Sequence, residues 1–556
     1  MLSTLWLGLL VAFGFWIVTT LRGRKRYPLP LPPGPKQKPI IGNLKDLPTP
    51  DQQDWMHWLK HKELYGKTEF LRNIERGMLT VPKLGPISSL TVLDKHVIIL
   101  NDANLAVQLL EKRSSIHSGR PENMFTDMSG WQYVLGARRN PDHVRKTRKH
   151  LYQEIGSKNS VARFNDVQTT EYTNSNCSRD AGAIVLKIGY GYTIEPHAQD
   201  PLVDLADKAM EDFSYALLPA TWAVEFIPIM KYLPAWFPGA GFVKIAQGYK
   251  SRAQSFSDVP YAFTKQQISN GRFVPSFLSN LLESNPVEPG TEEEEIIKWS
   301  AGSLYAGGAD TTVSSIASFF LAMALFPEAQ RKAQQELDTV IGSDRLPQFQ
   351  DRDNLPYTDA LVKEVLRWHP VVPMSVTHTS TQDDTCEGYF IPKGSSVLAN
   401  IWAFTHDPTV YRDPMTFNPE RFLTSPDGKL PERDPHMLVF GFGRRACPGR
   451  TLADANVFLT VSQALAVFSI AKPIQNGVTQ DIPLKFLPGV ISHPAPFKVS
   501  IQPRSAVHEQ LIRDLEKHYP WEKSDSEFLP TSLSFSSLVH RENLSHRLGL
   551  YEVAFG

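Results

Sequence analysis

At residues 440–449 the chain reads Phe440-Gly441-Phe442-Gly443-Arg444-Arg445-Ala446-Cys447-Pro448-Gly449, a glycine-rich loop that holds a single cysteine. A helical pattern begins directly after this loop, at Arg450. A thiolate is favoured where cationic side chains, backbone N–H groups and the N-terminus of a helix come together, and glycines let the backbone fold closely around the sulfur. The alternative is a free core cysteine, which is the common state of this residue. The loop therefore predicts that Cys447 is presented as a thiolate, the form in which sulfur binds a metal.

The spacing Phe-x-x-Gly-x-Arg-x-Cys-x-Gly in this loop resembles the haem-binding signature of the cytochrome P450 family. The resemblance implies that haem b is the cofactor and that Cys447 is the axial ligand of its iron. It also implies that Arg445 pairs with a haem propionate and that Phe440 packs beside the sulfur. A thiolate ligand raises the electron density at iron and favours cleavage of the O–O bond. Within the family, the chain is most similar to fungal secondary-metabolism oxidases of the O-methylsterigmatocystin oxidoreductase type.

Periodicity elsewhere indicates a mainly α protein with a minor β portion. Two strands are predicted from Ile87 to Leu93 and from His96 to Leu100, followed by a helix from Ala103 to Lys112. The other predicted helices run from Val203 to Leu217, Thr291 to Leu325, Pro327 to Ile341, Tyr357 to Trp368 and Arg450 to Phe468. By resemblance this is the cytochrome P450 fold, preceded by a single N-terminal transmembrane helix.

The N-terminal segment, residues 1–21, has no charged side chain and is long enough to cross a bilayer as a helix. Positive charges follow it at Arg22, Arg24, Lys25 and Arg26. A cleaved signal peptide is the alternative, but such a peptide carries its basic residues before a shorter apolar core. We therefore expect a single-pass anchor at residues 1–21 and a basic, proline-rich hinge at residues 22–36. Because basic flanks stay in the cytosol, the catalytic domain should face the cytosol, by resemblance at the endoplasmic reticulum membrane.

The predicted helix from Thr291 to Leu325 contains the segment Ala306-Gly307-Gly308-Ala309-Asp310-Thr311-Thr312. Each glycine destabilises a helix interior by roughly 1 kcal/mol relative to alanine, so the pair predicts a local opening of the helix. In the family, the matching segment crosses the distal face of the haem. The resemblance implies that Thr311 hydrogen-bonds the reacting dioxygen and that Asp310 relays protons from solvent. The alternative is a helix kink in which the threonine bonds back to a backbone carbonyl.

An acid and a base, Glu364 and Arg367, lie three residues apart on one face of a predicted helix. Such pairs are common, but this one lies between the glycine pair and the cysteine loop and is followed by Phe417-Asn418-Pro419-Glu420-Arg421-Phe422. That order resembles the family. It implies that Glu364, Arg367 and Arg421 form a buried, salt-bridged triad behind the haem, with a structural role.

Two further residues resemble contacts of the haem propionates. His378 lies between the helix of Glu364 and the turn Gly388-Tyr389-Phe390-Ile391-Pro392-Lys393-Gly394, and Arg148 lies in a basic helical segment. Charge-assisted hydrogen bonds to carboxylates suit an arginine. The alternative for His378 is an ordinary hydrogen-bonded polar residue.

The body of the chain, residues 37–524, departs from the family at two places. Relatives usually run Tyr-Gly-Pro-Ile without interruption, whereas residues 67–84 separate Tyr65-Gly66 from Gly85-Pro86 here. Residues 168–180 are polar where relatives carry a longer helix. We interpret these as a suspected insertion and a suspected deletion that come from imperfect exon prediction or alternative splicing, and transcript sequencing tests this. The tail, residues 525–556, is unassigned.

Composition limits the possible partners. Lysine and arginine number 58, and so do aspartate and glutamate, so nothing favours binding to nucleic acid. There is no glycine-rich dinucleotide motif after a strand, so electrons are expected from NADPH–cytochrome P450 reductase, by resemblance on the same membrane. Basic residues that could contact it are Arg444, Arg445, Arg450 and Lys149.

The sequence thus predicts a membrane-anchored haem-thiolate monooxygenase that oxidises a lipophilic small molecule with dioxygen. The substrate stays open. One alternative is a haem-thiolate isomerase or dehydratase, which needs no reductase. The other is a non-functional product of a faulty gene model.

Overall fold

The computed structural model of the protein describes Gly14 and residues 27–75, 85–164, 180–218, 221–518 and 520–530. Apart from Gly14, the predicted anchor lies outside the described residues, as do residues 22–26 of the hinge. The same holds for residues 76–84 of the suspected insertion, for residues 165–179, which include most of the suspected deletion, and for residues 531–556 of the tail.

Helices form most of the described structure and strands a small part of it, so the predicted class, mainly α with a minor β portion, is confirmed. The helices of eight or more residues are α1 Asp54–Glu75, α4 Pro141–Ile155, α6 Asp180–Tyr190, α7 Pro201–Leu217, α8 Gly241–Ser269, α9 Phe277–Ser284, α10 Glu292–Ala309, α11 Thr311–Leu325, α12 Pro327–Val340, α13 Pro356–Trp368, α16 Arg450–Val467 and α17 Ala506–His518. The shorter ones are α2 Ala103–Ala106, α3 Met124–Met128, α5 Lys158–Ala162, α14 Ile401–Thr405 and α15 His436–Val439. The strands are β1 Ile87–Val92, β2 Lys95–Leu100, β3 His378–Thr379, β4 Asp384–Cys386, β5 Tyr389–Ile391, β6 Ser396–Ala399, β7 Phe468–Ala471, β8 Ile474–Gln475, β9 Val478–Thr479 and β10 Ser500–Pro503.

Most predicted bounds lie within two residues of the observed ones, and three differences have a structural cause. The single helix expected from Thr291 to Leu325 is two helices, α10 and α11, which meet at Asp310. The helix expected from Ala103 to Lys112 is α-helical only to Ala106 and continues as a π-helix over Val107–Lys112. The helix expected to end at Phe468 ends one residue earlier, because Phe468 begins the strand β7.

The helix starts follow from local sequence. Asn140 and Asp200 cap α4 and α7 by accepting hydrogen bonds from the following backbone N–H groups, and in both helices a proline is the first residue. Thr291 caps α10, whose first turn is entirely acidic, Glu292–Glu295. Negative charge at this end complements the helix dipole.

The chain divides into two compact parts. The first comprises residues 1–122, 374–404 and 442–445. Its described core is a four-stranded sheet in the order β1-β2-β6-β3, in which β2 and β6 are parallel and the other pairs are antiparallel. Ile87 pairs with Leu100, and Leu100 pairs with Ala399.

The suspected insertion leaves and rejoins this first part at neighbouring points. Helix α1 runs past Tyr65 and Gly66 to Glu75. The backbone N–H of Gly85 donates to the carbonyl of Lys62, with an N···O distance of 2.7 Å. Lys62 and Gly85 are therefore close in space although 23 positions separate them in the chain, and the insertion stays a prediction.

The second part comprises residues 123–373, 405–441 and 446–556, and α10 lies at its centre. This helix packs against α4, α6 and α8. Within the described residues, Glu292–Leu325 is the one helical stretch long and apolar enough to cross a membrane, and 67% of its most apolar window is buried inside the protein. Such burial is typical of a core helix, which is how the fold uses α10 and α11.

Candidate functional site: a cysteine loop, a cation cluster and an interrupted helix

The cysteine loop is closed by a backbone hydrogen bond. The N–H of Cys447 donates to the carbonyl of Phe440 at 2.8 Å, and Gly441 between them has φ +74°, which favours glycine. Gly443 is required for a different reason, because a Cβ there would lie 2.5 Å from the carbonyl oxygen of Leu110. The glycines of the loop thus permit a tight turn and a close backbone approach, as the sequence indicates.

The Cys447 thiol can be reached from outside, but protein atoms surround it closely enough to desolvate it. Its side chain has exposed surface, yet desolvation raises the pKa of the thiol. The backbone N–H of Gly449 and the charges of Arg148 and Arg450 lower that pKa and so favour the thiolate. Accessible surface together with desolvation describes a thiol recessed within the protein rather than one on a convex surface.

Arg148 lies against this loop. Its Nη1 donates to the carbonyl oxygen of Ala446 at 2.7 Å. Burial lowers the pKa of Arg148, and the neighbouring Cys447 opposes that shift. The structure therefore places the predicted propionate contact where it supports the backbone directly before Cys447.

Phe440 stacks on His436, with ring centroids 5.7 Å apart and the planes inclined by 26°. The imidazole of His436 lies between two carboxylates, 2.7 Å from Asp434 Oδ1 and 2.9 Å from Asp454 Oδ1. Asp454 also accepts two hydrogen bonds from Arg352, at 2.6 and 3.0 Å. This network under the cysteine loop was not predicted. The short motif Asp434-Pro435-His436 is the only local signal for it.

Three basic side chains lie in the first part of the chain, those of the arginines Arg120 and Arg445 and of His378, and they are called the cation cluster below. Arg445 Nε donates to the carbonyl of Ser118 at 2.9 Å, and Arg120 Nη1 donates to that of Thr377 at 2.9 Å. Burial lowers the pKa of Arg120 well below its ordinary value, and the charge of Arg445 lowers it further. Because arginine stays protonated in proteins, this shift reflects first the burial of the Arg120 charge and then its repulsion by Arg445. A bound carboxylate would offset both effects.

His378 is the neutral member of the cluster. Burial lowers its pKa to about 3, and the charge of Arg120 acts in the same direction. Its Nδ1 lies 2.7 Å from the carbonyl of His117, so Nδ1 carries the proton of the neutral ring and Nε2 is an acceptor. In this state His378 is an ordinary hydrogen-bonded histidine, which is the alternative to a propionate contact. A bound carboxylate would have to raise its pKa before Nε2 could donate.

The predicted opening in the long helix lies at Asp310, which separates α10 from α11 with φ −104° and ψ −35°. The hydroxyl of Thr311 donates to the carbonyl of Gly307 at 2.6 Å, which is the back-bonding of the alternative interpretation. The Asp310 carboxylate lies 3.0 Å from Nε2 of His493. His493 was not singled out from the sequence, because it lies 183 positions away from Asp310 in a loop without a motif.

The two glycines before Asp310 have different surroundings. A Cβ on Gly308 would lie 2.6 Å from Cγ2 of Val185, a buried residue of α6, whereas a Cβ on Gly307 would meet nothing within 4 Å. Gly308 therefore permits the close packing of α10 on α6, and Gly307 leaves open space beside the helix.

The structure brings Glu364, Arg367 and Arg421 together. Arg367 donates from Nε and Nη2 to the two oxygens of Glu364 at 2.7 and 2.8 Å, and Arg421 Nε lies 3.2 Å from Oε1 of the same carboxylate. A fourth member, Glu432, was not predicted and lies 2.7 Å from Arg421 Nη1. The network therefore balances two acids with two bases.

Comparison with known proteins agrees with these features. A sequence model of the cytochrome P450 family matches residues 205–501. The cytochrome P450 monooxygenase ppsD of Aspergillus oryzae is 47% identical over 513 residues, which cover 90% of this chain and 94% of the relative. The O-methylsterigmatocystin oxidoreductase of Aspergillus flavus is 40% identical over 526 residues, covering 92% and 95%. The chain belongs to the cytochrome P450 family.

The cytochrome P450 monooxygenase activity and the resemblance stated from the cysteine loop are thereby confirmed. The cytochrome P450 monooxygenase claR of Ampulloclitocybe clavipes, 43% identical over 498 residues with 87% of this chain and 88% of the relative covered, adds a relative from a third fungus. Haem b is the cofactor of the family.

The residues present fit haem b by two observations within this cytochrome P450. A recessed cysteine, whose thiolate is favoured by a backbone N–H and two arginines, is a suitable donor to iron. The cation cluster carries like charges whose mutual repulsion a carboxylate would relieve. Cys447 in the second part thus matches the iron of the cofactor, and the cation cluster in the first part matches its carboxylates.

Proposed function

We propose that the chain is a haem-thiolate monooxygenase that uses dioxygen and reductase-delivered electrons to hydroxylate or otherwise oxidise a lipophilic organic substrate, in fungal secondary metabolism. The observation that carries the proposal is the Cys447 thiol, recessed but accessible and surrounded by groups that favour the thiolate. The named relatives support the same class of reaction. When bound, haem b supplies the redox chemistry that places one oxygen atom of dioxygen in the substrate and releases the other as water.

Five residues hold the cofactor in this proposal. Cys447 would supply the thiolate that binds the iron, and Phe440, which stacks on His436, would pack beside the sulfur. Arg445 and His378 of the cation cluster, together with Arg148, contact the propionates. Arg148 also supports the carbonyl of Ala446, so its removal would disturb the cysteine loop as well as a propionate contact.

On the distal side, the proposal assigns proton delivery to Asp310 and hydrogen bonding of dioxygen to Thr311. The Thr311 hydroxyl donates its one proton to the Gly307 carbonyl in this structure, so it would have to break that hydrogen bond before it could donate to dioxygen. Asp310, at the interruption between α10 and α11, is the group that can carry a proton to this place. An acid beside an alcohol favours oxygen insertion over isomerisation or dehydration.

The membrane is part of the proposal. Residues 1–21 would anchor the protein in the endoplasmic reticulum membrane as a single span, with the hinge 22–36 and the catalytic domain in the cytosol. An exposed apolar surface in the second part supports an approach to lipid, since Ile229, Tyr232 and Trp236 are each about three-quarters exposed. A lipophilic substrate would reach the enzyme from the lipid bilayer.

The electron donor proposed is NADPH–cytochrome P450 reductase. Exposed basic residues near the cysteine loop, Lys149 and Arg450, are suited to an acidic partner surface. The network of Glu364, Arg367 and Arg421 is assigned the structural role of fixing the segments around it.

The test is the reduced, carbon-monoxide-bound spectrum of the full chain, which reports thiolate ligation of haem iron. We expect the thiolate-type band in the unaltered protein and in Cys386→Ala, and its loss in Cys447→Ala. Cys386 is a matched control, because it is buried and burial raises the pKa of its thiol to about 11. A band that survives in Cys447→Ala, or that is absent from the unaltered protein, would overturn the proposal.

A second measurement separates the reaction classes. NADPH consumption with reductase, coupled to an oxygenated product in a screen of lipophilic compounds, is expected for a monooxygenase. Conversion of a peroxide without reductase would instead identify an isomerase or dehydratase.

A further inference from the structure

The side chains of His493 and Asp310 are in direct contact, with Nε2 of His493 3.0 Å from Oδ1 of Asp310. Both side chains are largely enclosed, with 17% and 28% of their surface exposed. We propose that His493 passes protons from solvent to Asp310 and is thereby a further residue of the monooxygenase reaction. This inference rests on the proposed function, in which Asp310 delivers protons.

The loop that carries His493 is fixed to the helix that carries Asp310. Ser492, wholly buried, accepts a hydrogen bond at its carbonyl from the hydroxyl of Ser314 at 2.6 Å. The N–H of Ser314 in turn donates to the carbonyl of Asp310 at 3.1 Å. On the other side, the carbonyl of His493 accepts from the N–H of Leu487 at 2.7 Å. The imidazole therefore has little freedom to leave the carboxylate.

The neighbouring alcohol cannot serve as the proton source. The single proton of the Thr311 hydroxyl is donated to the Gly307 carbonyl, and a carboxylate such as Asp310 is ordinarily ionised near neutral pH. A proton must therefore reach Asp310 before it can be passed on. His493 is the titratable group in contact with it.

One other histidine faces this pair, His369 at the end of α13, and it is held neutral. Burial lowers the pKa of His369 to about 3, and the proximity of His493 lowers it as well. Its Nε2 lies 3.2 Å from the carbonyl of Ser492, and its ring stacks on Phe486 with centroids 3.8 Å apart. The one proton of neutral His369 is thus committed to the loop. His493, which is partly exposed and contacts Asp310, is placed to exchange protons between solvent and that carboxylate.

The transfer balances without any further reactant. Nδ1 of His493 accepts a proton from a hydronium ion, which becomes water, the Nε2–H bond breaks, and an O–H bond forms on Oδ1 of Asp310. The net change is one proton moved from solvent to the carboxylate. After Asp310 gives that proton away, the imidazole regains its starting tautomer by exchange with water.

The experiment uses the full, haem-loaded chain with NADPH–cytochrome P450 reductase and dioxygen, without added substrate. His493→Gln keeps an N–H donor for Asp310 but cannot transfer a proton, and His493→Phe removes both properties at similar volume. The matched control is His143→Gln, since His143 also contacts a carboxylate of α10, that of Glu292 at 2.6 Å, but at the outer end of the helix. Rates of dioxygen consumption are measured across pH in H₂O and in D₂O.

We expect both His493 variants to lose about 10²-fold in rate, as is typical when a general acid is removed, and to show a larger solvent isotope effect. Asp310→Asn combined with His493→Gln should be no slower than Asp310→Asn alone, because the two residues act in one path. His143→Gln should leave the rate unchanged. Full activity in His493→Gln with loss in His493→Phe would overturn the relay, because it would mean that His493 only holds Asp310 in place.

A measurement that needs no turnover tests the pair itself. The urea midpoints of Asp310→Asn, His493→Gln and the double variant should be non-additive, as for residues in contact, and additive midpoints would overturn the proposal.

Carbon monoxide spectra show whether the relay alone or the whole proposed function is contradicted. If all variants show a thiolate-type band and their rates are unchanged, only the proposed proton relay is contradicted. If the unaltered chain shows no such band, both the proposed function and the relay are contradicted.

Discussion

Arg367 and Glu364 form a two-point ion pair, with Nε and Nη2 of the guanidinium 2.7 and 2.8 Å from the two carboxylate oxygens and with both side chains fully buried. Nη1 of Arg367 donates to the carbonyls of Thr405 and Pro414 at 3.0 and 2.8 Å. Oε1 of Glu364 accepts from the N–H of Asn418 at 2.8 Å. The pair therefore joins α13 to the backbone of a long irregular segment that has little regular structure of its own.

Replacing Glu364 by glutamine should destabilise the protein strongly. Two arginines would remain buried with only the Glu432 carboxylate between them, and breaking a buried pair in this way typically costs about 3–5 kcal/mol. The measurement is urea-induced unfolding of the full chain. Glu509→Gln is the matched control, because Glu509 pairs with Arg513 on an exposed helix face, where such pairs contribute roughly 0.3–0.5 kcal/mol. Equal midpoints for the two variants would show that the buried network does not stabilise the fold.

The two glycines of α10 should respond to alanine in opposite directions. Gly307→Ala adds a methyl group in open space and should stabilise the helix by roughly 0.5–1 kcal/mol. Gly308→Ala places its methyl group 2.6 Å from the side chain of Val185 and should cost about 1–3 kcal/mol through overpacking. Combining Gly308→Ala with Val185→Ala should recover part of that loss. Thermal unfolding of the four proteins measures these differences, and a destabilised Gly307→Ala would contradict the open space beside that residue.

The sequence predicted those features that depend on neighbours in the chain. The bounds of α13 and α16 lie within one residue of the prediction, because periodicity sets both locally and a proline begins α13. The interruption at Asp310 and the closed cysteine loop follow from adjacent glycines. The pair Glu364 and Arg367 follows from a spacing of three residues on a helix.

Most of the partners that the sequence did not predict lie outside the helix or motif of the residue that they contact. Glu432 meets Arg421, Arg120 meets Arg445, and His493 meets Asp310 only after the chain has folded. A single charged residue in an irregular segment has no periodicity that would single it out. Such contacts are set by tertiary packing, and so only the structure could identify them.

The segment at residues 520–530 is held to α6 by a charged contact that a substitution can test. The ammonium of Lys187, with a largely buried side chain, contacts the Glu522 carboxylate and donates to the Thr193 hydroxyl at 2.7 Å. The N–H of Thr193 donates to Asp525 at 2.8 Å. Glu522→Gln should cost about 1–2 kcal/mol, since it leaves a buried charge with weaker hydrogen bonding, and should cost much less in a Lys187→Met background. Equal costs in the two backgrounds, measured by urea unfolding, would mean that the contact is absent in solution.

His436, which lies between Asp434 and Asp454, should make stability depend on pH in the alkaline range. Burial by itself lowers the pKa of His436, but the hydrogen bonds and charges of Asp434 and Asp454 outweigh it and raise the pKa to about 9. Because the folded-state pKa lies above the unfolded value of about 6.5, the imidazolium stabilises the fold fully below pH about 6.5. This contribution is lost as the pH rises through about 9.

Substituting His436→Gln should therefore have an effect that shrinks with pH. Since one pKa unit corresponds to 1.36 kcal/mol, the difference in unfolding free energy between the unaltered protein and the variant should fall by about 3 kcal/mol between pH 6 and 10. Phe440→Leu is the control, because it removes the ring stacked on His436 and leaves both carboxylates in place, so its effect should vary little with pH. Urea unfolding at several pH values measures both. A pH-independent effect of His436→Gln would mean that the imidazole is not charged between its two aspartates, and the network under the cysteine loop would then act through hydrogen bonds alone.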